Sequence, residues 1–342
     1  MGIKNKVRRA WVEIIYKNKD ITQELTPYLQ TVTVTDNLEG KLDDLNITLL
    51  NIGNKFLLSG WTFKKGDLLD VKLKTLNWEN ENEGIKEIEL GKYYIDEKEF
   101  NKDSAQIKAV SSPLNALNVV NSKTWNSITL KRLGEEFAKK YKLEYLFLSD
   151  DQVQMTNLIQ EKETDFSFLN KTAQEAGLKL KITERKLVLF EESSFYKNKP
   201  TGLFDLIHSI DYNLRDKTSD IYDSVEVSYF DTISFGEKKQ VLTYEELLGK
   251  TGGTREKTLK IKKKPAHGNL KKYALKLLEQ ANKSQVILEL TIPGYRNIFA
   301  GNVIEIVNSG EYDGKYLVNK VVKSLPGFIC KIESYKIEDG EK

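Results

Sequence analysis

Two glycine-led segments that occur twice, in the same order, constrain the fold of this chain more than any other feature. Residues 66–71 match residues 301–306, and residues 91–96 match residues 314–319. In each segment, a glycine suited to a turn precedes apolar residues that alternate with polar ones, as in a half-buried strand. The two pairs together predict a β structure that is duplicated within one chain.

A third and looser match lies upstream of these segments. Residues 37–44 compare with residues 213–220, so three blocks follow the same order in both halves. The alternative is that turns of the type Gly-polar-apolar recur by chance in an ordinary β protein. Three blocks in matching order favour duplication over that alternative.

The first 112 residues or so have the period-two pattern of β-strands, interrupted by turn glycines. The alternating apolar positions include Val32 and Val34, then Leu45, Ile47 and Leu49, then Leu69, Val71 and Leu73. Trp11–Tyr16 adds one further strand. This region is therefore predicted to be all-β.

Helical and strand periods alternate between about Ser127 and Glu192. A helix face is predicted from the spacing of Leu130, Leu133, Phe137 and Tyr141. A second helix is predicted to be capped by Thr164 or Asp165 and to stop at Gly177. A hairpin should then turn at Glu184-Arg185. The sequence thus predicts a small α/β module between the two β regions.

Strand patterning resumes after a polar connection at 197–202, with Val225, Val227 and Tyr229. One further helix is expected from the apolar stripe Leu270, Tyr273, Ala274, Leu277, Leu278 and Ala281. From residues alone, the chain is a multidomain, β-rich protein with a duplicated barrel.

Composition excludes several function classes. The chain has 53 Lys and Arg against 50 Asp and Glu, a net charge of +3, so strong non-specific nucleic-acid binding by the whole chain is not expected. No run approaches the ~18 apolar residues of a membrane span, and charges interrupt residues 1–6 where a secretory signal would be apolar. A soluble protein that is not secreted by the general route is expected.

The residues that commonly carry chemistry form no recognisable site. Cys330 is the only cysteine and stands in an apolar run, so a buried, inert thiol is expected and internal disulfides are excluded. His208 and His267 lie far apart, and the loop 249–254 lacks the glycine spacing of a phosphate-binding loop. Carboxylate pairs such as Glu135-Glu136 and Asp150-Asp151 lie in polar stretches.

The remaining candidates have ordinary structural interpretations. A basic run comprises Lys257, Lys260, Lys262, Lys263 and Lys264, which favours a solvated linker, with contact to nucleic acid or an acidic partner as the alternative. Core or interface packing is the expected role of Trp11, Trp61, Trp78 and Trp125. No catalytic, cofactor-binding or metal-binding residue is predicted, and the chain is not expected to be an enzyme.

Several blocks resemble the phage late control gene D protein family, which forms baseplate hubs of contractile phage tails and phage-tail-like bacteriocins. The resemblance covers most of the chain in order, whereas residues 234–264 match no family block. The similar blocks are 8–14 with 20–22, 35–45, 91–96, 164–169 and 312–316.

The resemblance implies an α+β, mainly β fold with two related β-barrel tube domains and a small inserted α/β module. It places the first barrel at 1–115, the module at 116–200 and the second barrel at 201–342, with a helical insertion near 268–283. It implies a homotrimer whose six barrels adapt a sixfold tail tube to a threefold central spike.

The same resemblance implies the molecular context. The expected partners are further copies of the chain, the tail tube protein, the central spike protein and other baseplate proteins, with nucleic acid only if DNA passes through the channel. The expected location is a phage or phage-tail-like particle assembled in the bacterial cytoplasm, with no membrane partner and no cofactor. The alternatives are an oligonucleotide-binding barrel protein and a tail-associated cell-wall hydrolase.

Overall fold

The computed structural model describes residues 7–58, 63–150, 152–219, 221–231, 235–243, 257–262, 270–295 and 297–337. Strands dominate this part of the chain and helices are few, which confirms the predicted α+β, mainly β class. The strands are β1 (Arg9–Tyr16), β2 (Lys19–Asp20), β3 (Leu29–Asn37), β4 (Asp44–Leu50), β5 (Leu68–Leu76), β6 (Ile85–Phe100), β7 (Ser104–Val110), β8 (Val120–Thr129), β9 (Glu144–Leu148), β10 (Gln154–Thr164), β11 (Lys179–Thr183), β12 (Lys186–Phe190), β13 (Gly202–Asp205), β14 (Asp211–Asp216), β15 (Ser224–Asp231), β16 (Gly236–Thr243), β17 (Thr258–Lys262), β18 (Val286–Pro293), β19 (Val303–Val307), β20 (Gly314–Leu325) and β21 (Ile329–Lys336).

The helices are short. The α-helices are α1 (Thr22–Leu25), α2 (Lys55–Leu58), α3 (Leu114–Asn118), α4 (Leu130–Tyr141), α5 (Asp165–Glu175) and α6 (Leu270–Asn282). Turns of 3₁₀ helix occur at Thr26–Tyr28, Ile52–Asn54, Glu192–Phe195, Leu206–His208 and Gly310–Tyr312.

One sheet of 13 strands runs through both β regions. Its hydrogen-bonded order is β14-β18-β21-β20-β3-β4-β7-β6-β5-β1-β2, and β13 joins through β19, which pairs with β20. Most of its pairs are antiparallel, and the two regions meet where β20 pairs with β3. The two β regions are therefore halves of one sheet, and their closure into two barrels stays a prediction.

A single large hydrophobic core lies against this sheet and takes residues from both halves. Val71 and Ile107 belong to it in the first half, and Ile304 and Ile332 in the second. All four are almost fully buried. The alternation seen in the sequence therefore has its expected cause, because each apolar residue points to one buried face.

The module between the β regions has a core of its own. Its strands form a two-stranded sheet (β8, β10) and a three-stranded sheet (β11, β12, β9), against which α4 and α5 pack. Inside, the rings of Trp125 and Phe168 stack with centroids 5.5 Å apart. The predicted features are present: Thr164 caps α5, Gly177 follows its end with φ +73°, and Glu184 and Arg185 turn the hairpin at positive φ.

A second insertion lies within the second β region. Strands β15, β16 and β17 form a separate three-stranded sheet, and α6 packs on it through Ala274 and Leu278 against Val225 and Val227. The alternation of Val225 and Val227 predicted a strand, and both residues lie in β15, which belongs to this separate sheet and not to the main one. A half-buried strand has the same period whichever core it faces, so the pattern alone does not select the sheet.

Candidate assembly surface

The duplicated glycines adopt matching backbone conformations. Gly66 has φ +83° and Gly301 has φ +91°, while Gly91 has φ +132° and Gly314 has φ +127°. These values lie in regions that residues with a Cβ rarely enter, which explains why glycine stands at each position. The prediction that Gly66 corresponds to Gly301 and Gly91 to Gly314 is confirmed at the level of the backbone.

Hydrogen bonds around these glycines also match. Gly66 N–H donates to the carbonyl of Ile95 at 2.7 Å, and Gly301 N–H donates to that of Val318 at 2.8 Å. Each of the two acceptor residues returns a bond of 2.9 Å from its own N–H, to Asp67 and Asn302 respectively. The turn before β5 and the turn before β19 are therefore the same structure.

The strand registers agree across five strands. We call the strands β5, β6, β7, β4 and β3 the first copy, and the strands β19, β20, β21, β18 and β14 the second copy. In each copy, one line of paired residues crosses all five strands. The first line is Leu68, Tyr94, Val110, Asp44 and Thr35, and the second is Val303, Leu317, Tyr335, Ile287 and Arg215. Both copies carry a bulge two residues beyond this line, at Asp96 and at Asn319.

The third, looser sequence match fails this test. Since Thr35 corresponds to Arg215, the residue of the first copy that is equivalent to Asn213 is Thr33. Thr33 lies four residues before Asn37, which the sequence match had aligned with Asn213. The compared blocks 37–44 and 213–220 are thus not equivalent. The second copy has its α6-containing insertion after this strand, and so the segments that follow β3 and β14 share no common structure.

The two copies meet in what we call the in-chain seam. Beyond its bulge at Asn319, β20 leaves β19 and pairs antiparallel with β3, from Lys320 opposite Asn37 to Leu325 opposite Val32. Leu38 N–H donates to the carbonyl of Asn319 at 2.8 Å at the start of this pairing. The Asp36 carboxylate, on β3, accepts the N–H of Ala300 at 2.8 Å.

The equivalent edges at the two ends of the copies are open among the described residues. After its own bulge, the 97–100 stretch of β6 pairs with β7 alone, and β14 pairs with β18 alone. Val32 in the in-chain seam is 0% exposed, whereas its equivalent Tyr212 on β14 is 52% exposed. Open strand edges can bind further strands, and so these two edges are candidate assembly surfaces.

Exposed apolar side chains cluster in sequence beside one of these edges. Leu203, Ile207, Ile210 and Tyr212 are each more than half exposed, and Ile207 reaches 79%. Large exposed apolar patches are typical of interaction surfaces. This segment is thus a further candidate assembly surface.

A network of buried charges ties the module to the main sheet, and sequence reasoning missed it. Lys181 on β11 bonds to Asp36 and to the carbonyl of Asn37, and its Nζ lies 3.2 Å from the Asp43 carboxylate. Burial, only partly offset by Lys181, raises the pKa of Asp43 to about 7, and the nearby Asp36 carboxylate adds to the effect. The pKa of Lys181 is raised by the two aspartates, against the effect of burial.

A second ionic cluster joins the module to the second copy. Lys283 Nζ lies 2.7 Å from Glu39 and 2.8 Å from Glu192, and Glu192 also accepts the Tyr335 hydroxyl at 2.6 Å. Lys179 of the module pairs with the same Glu39. These contacts connect residues up to 244 positions apart in sequence, a separation at which no local pattern could have revealed them.

Residues considered for chemistry have structural roles where they are described. Cys330 is buried, and burial raises the pKa of its thiol. Glu136 accepts the Trp125 indole N–H at 3.1 Å and pairs with Lys123 at 3.0 Å. The His208 side chain is exposed and lies 3.6 Å from Asp205.

Asp165, in one of the blocks that resemble the phage family, is fully committed to structure. Its side chain accepts hydrogen bonds from Asn121, Gln160, Lys140 and Tyr141, at 2.5–3.0 Å. Burial alone would raise the pKa of Asp165, but the hydrogen bonds from Gln160, Lys140 and Tyr141, together with the charge of Lys140, outweigh it and lower the pKa. The open cavity of about 530 Å³ beside it is lined mainly by charged and polar side chains.

Several other sequence candidates lie outside the described residues: the loop 249–254, His267, Trp61, Asp151 and the 263–264 end of the basic run. Of that run, Lys257 and Lys260 are described and exposed. Within the described ranges, no group of three His, Cys, Asp or Glu side chains is placed to hold a metal ion. No helix in the described part of the chain is long and apolar enough to cross a membrane.

The fold is shared with tail proteins of known structure. A tail protein from Neisseria meningitidis MC58 aligns with a TM-score of 0.70 at 10% identity, over 96% of this chain and 97% of that one. The 43 kDa tail protein of prophage MuSo2 from Shewanella oneidensis gives 0.66 at 14% identity, over 94% and 95%. Prophage tail protein gp18 from Listeria monocytogenes EGD-e gives 0.61 at 10% identity, over 96% and 95%.

Comparison of the sequence with known proteins assigns the chain to no family. No family model matches the chain, and no curated protein matches it. At 10–14% identity the structural likeness establishes the fold.

Proposed function

We propose that this protein is a structural hub of a contractile-tail baseplate that assembles as a homotrimer. The observation that carries the proposal is the agreement of register between the two copies across five strands. A chain with two equivalent copies can act as two subunits of a ring. Three such chains supply six equivalent positions, which fit a sixfold tube on one side and a threefold spike on the other.

Closed rings require a contact that is not self-complementary, in which one surface of a chain meets a different surface of the next. The described residues offer such a pair of surfaces, because the 97–100 stretch of β6 and the outer side of β14 are two different open edges of the main sheet. The strand path thus supports a head-to-tail ring, in which each chain uses both edges and leaves none open.

The proposed partners are the tail tube protein, the central spike protein and other baseplate proteins. The shared fold supports this, since the structures of similar fold include tail proteins and also a VgrG complex with PdpA from Francisella, at a TM-score of 0.56 and 10% identity over 98% of this chain and 55% of that one. We place the chain in a phage or phage-tail-like particle that assembles in the bacterial cytoplasm, with a structural rather than an enzymatic role.

The proposal extends to domain organisation. We divide the chain into a first tube domain (1–115), a small module (116–200) that lies outside the ring, and a second tube domain (201–342). The separate core of the module supports this division. The charged contacts around Lys181 and Lys283 would hold the module in one orientation against the tube domains.

The test is the mass of the purified full-length chain in solution, followed by electron microscopy of the assembled species. We expect a trimer that appears as a ring with six similar lobes around a channel. A ring of six chains, or a chain that stays monomeric at all attainable concentrations, would contradict the proposal.

A further inference from the structure

We propose that each chain binds the next by antiparallel pairing of its β14 with the 97–100 stretch of its neighbour's β6, and that a ladder of opposite charges selects this pairing. The partner is a second copy of this chain. The inference deepens the hub assembly proposed above and rests on it for the number of chains in the ring.

The register follows from the in-chain seam. The bulges at Asp96 and Asn319 are equivalent, so Lys320 corresponds to Glu97, and the positions that follow correspond in order. On the other strand Thr35 corresponds to Arg215. Since Val322 pairs with Thr35 within the chain, its equivalent Glu99 should pair with Arg215 of the neighbour.

Applied to the neighbouring positions, the same rule produces three consecutive pairs of opposite charge and then an apolar pair. The in-chain seam contains no such ladder; in it, Val322 faces Thr35 and Val321 faces Asp36. The pairs between chains are Glu97 with Lys217, Lys98 with Asp216, Glu99 with Arg215, and Phe100 with Leu214.

Four of these eight side chains are exposed, which fits a surface that is covered only on assembly. On the two edges, Glu97, Glu99, Arg215 and Asp216 are exposed, while their in-chain equivalents are half-buried or buried. Neither Glu99 nor Arg215 forms an ion pair with another described residue. Glu97 pairs with Lys108 on the β7 side at 3.1 Å, which leaves its other carboxylate oxygen for Lys217.

One further contact of the in-chain seam has a counterpart between chains. Asp36 accepts the N–H of Ala300, the residue before Gly301. The equivalent positions are both present, since Asp216 stands in place of Asp36, and Lys65 precedes Gly66 in place of Ala300. Asp216 should therefore accept the N–H of Lys65 in the neighbouring chain, where the exposed lysine side chain adds a favourable charge.

The ladder also disfavours wrong pairings. If β6 paired with another β6 centred on Lys98, Glu97 would face Glu99 and lysine would face lysine. If β14 paired with another β14 centred on Asp216, Arg215 would face Lys217 and aspartate would face aspartate. Like charges directly opposite one another destabilise a strand pair, so the charges specify a contact between different edges.

Charge reversal tests the ladder. In the full-length chain, Glu99→Lys or Arg215→Glu should each raise the concentration at which half the chains are assembled about tenfold, because an attraction becomes a repulsion at every junction. The double variant Glu99→Lys/Arg215→Glu should recover most of the loss. Two losses that add without recovery would overturn the proposed pairing of these residues.

Cross-linking tests the register and separates the two proposals. In a chain that also carries Cys330→Ser, because Cys330 lies opposite Lys323, Phe100→Cys with Leu214→Cys should form disulfides between chains. The matched control Val34→Cys with Lys323→Cys should form a disulfide within each chain, which links no two chains together. A trimer in which only the control oxidises would overturn the inference and leave the hub intact. Cross-links in an assembly of another size would support the seam and overturn the trimer. A chain that stays monomeric would overturn both.

Discussion

The duplicated glycines allow the same substitution to be compared at two equivalent positions with different surroundings. Gly91→Ala and Gly314→Ala each place a Cβ on a backbone with φ near +130°. At Gly91 that Cβ would lie 2.9 Å from the Tyr93 hydroxyl oxygen and 3.0 Å from its ring. At Gly314 the nearest atom is the flexible end of Lys336, at 3.6 Å.

The expected magnitudes follow from these distances. Backbone strain of this kind costs ~1–3 kcal/mol, and the lower entropy of the unfolded alanine chain offsets ~0.4–1 kcal/mol of it. Gly314→Ala should therefore lower the free energy of unfolding by about 1–2 kcal/mol. Gly91→Ala must in addition displace the buried Tyr93 ring, whose hydroxyl donates to the Leu90 carbonyl at 2.8 Å, which should add about 1–3 kcal/mol.

Urea unfolding, combined with amide hydrogen exchange in β5–β6 and β19–β20, would measure the two effects locally. Gly310→Ala is the matched control, since its φ is +67° and no atom lies within 4 Å of the added Cβ, and it should cost the least of the three. Equal losses for Gly91→Ala and Gly314→Ala would refute the argument from Tyr93. A neutral Gly314→Ala would refute the strain common to both copies.

Three further substitutions probe buried charges. Lys181→Met leaves Asp36 and Asp43 without their shared cation, and we expect a loss of about 3–5 kcal/mol with faster proteolysis of the module. Asp43→Asn should gain stability relative to the unsubstituted protein as the pH rises from about 4 to about 7, measured by urea unfolding. In that window Asp43 is ionised in the unfolded chain but stays protonated in the folded protein, where its pKa is raised to about 7, so the unsubstituted protein loses stability as the pH rises. Lys323→Met should raise the free energy of unfolding at pH 7 by about 1–2 kcal/mol, as burial lowers the pKa of Lys323 to about 8 and the equivalent position holds Phe100. That gain should shrink above pH 8, where the folded Lys323 loses its proton, and a gain independent of pH would contradict the explanation.

Local patterns predicted the parts of the fold that depend on local physics. The face of α4 was predicted from four apolar positions, and three of them, Leu130, Leu133 and Phe137, are buried. The glycine blocks were found because a positive φ restricts the residue type. Each of these features leaves a signal within a few residues of sequence.

Features that depend on distant partners could not be predicted in this way. The strands β15 to β17 have the same alternation as those of the main sheet, yet they form their own sheet with α6. The contact of Lys181 with Asp36 joins positions 145 apart, and both residues look like ordinary surface charges in the sequence. The open edges of β6 and β14 became recognisable only when the registers of both copies were known.

The in-chain seam between β3 and β20 changes the order in which a ring can form. Because both strands belong to one polypeptide, they meet at the effective concentration of a tethered pair, which for flexible connections lies in the millimolar range, far above that of separate chains. Half of the six junctions in a three-chain ring would thus be complete as soon as each chain folds. The remaining three junctions depend on encounters between separate chains in dilute solution. This difference explains why the ladder of opposite charges would occur between chains and not at the in-chain seam, whose strands the polypeptide already holds together.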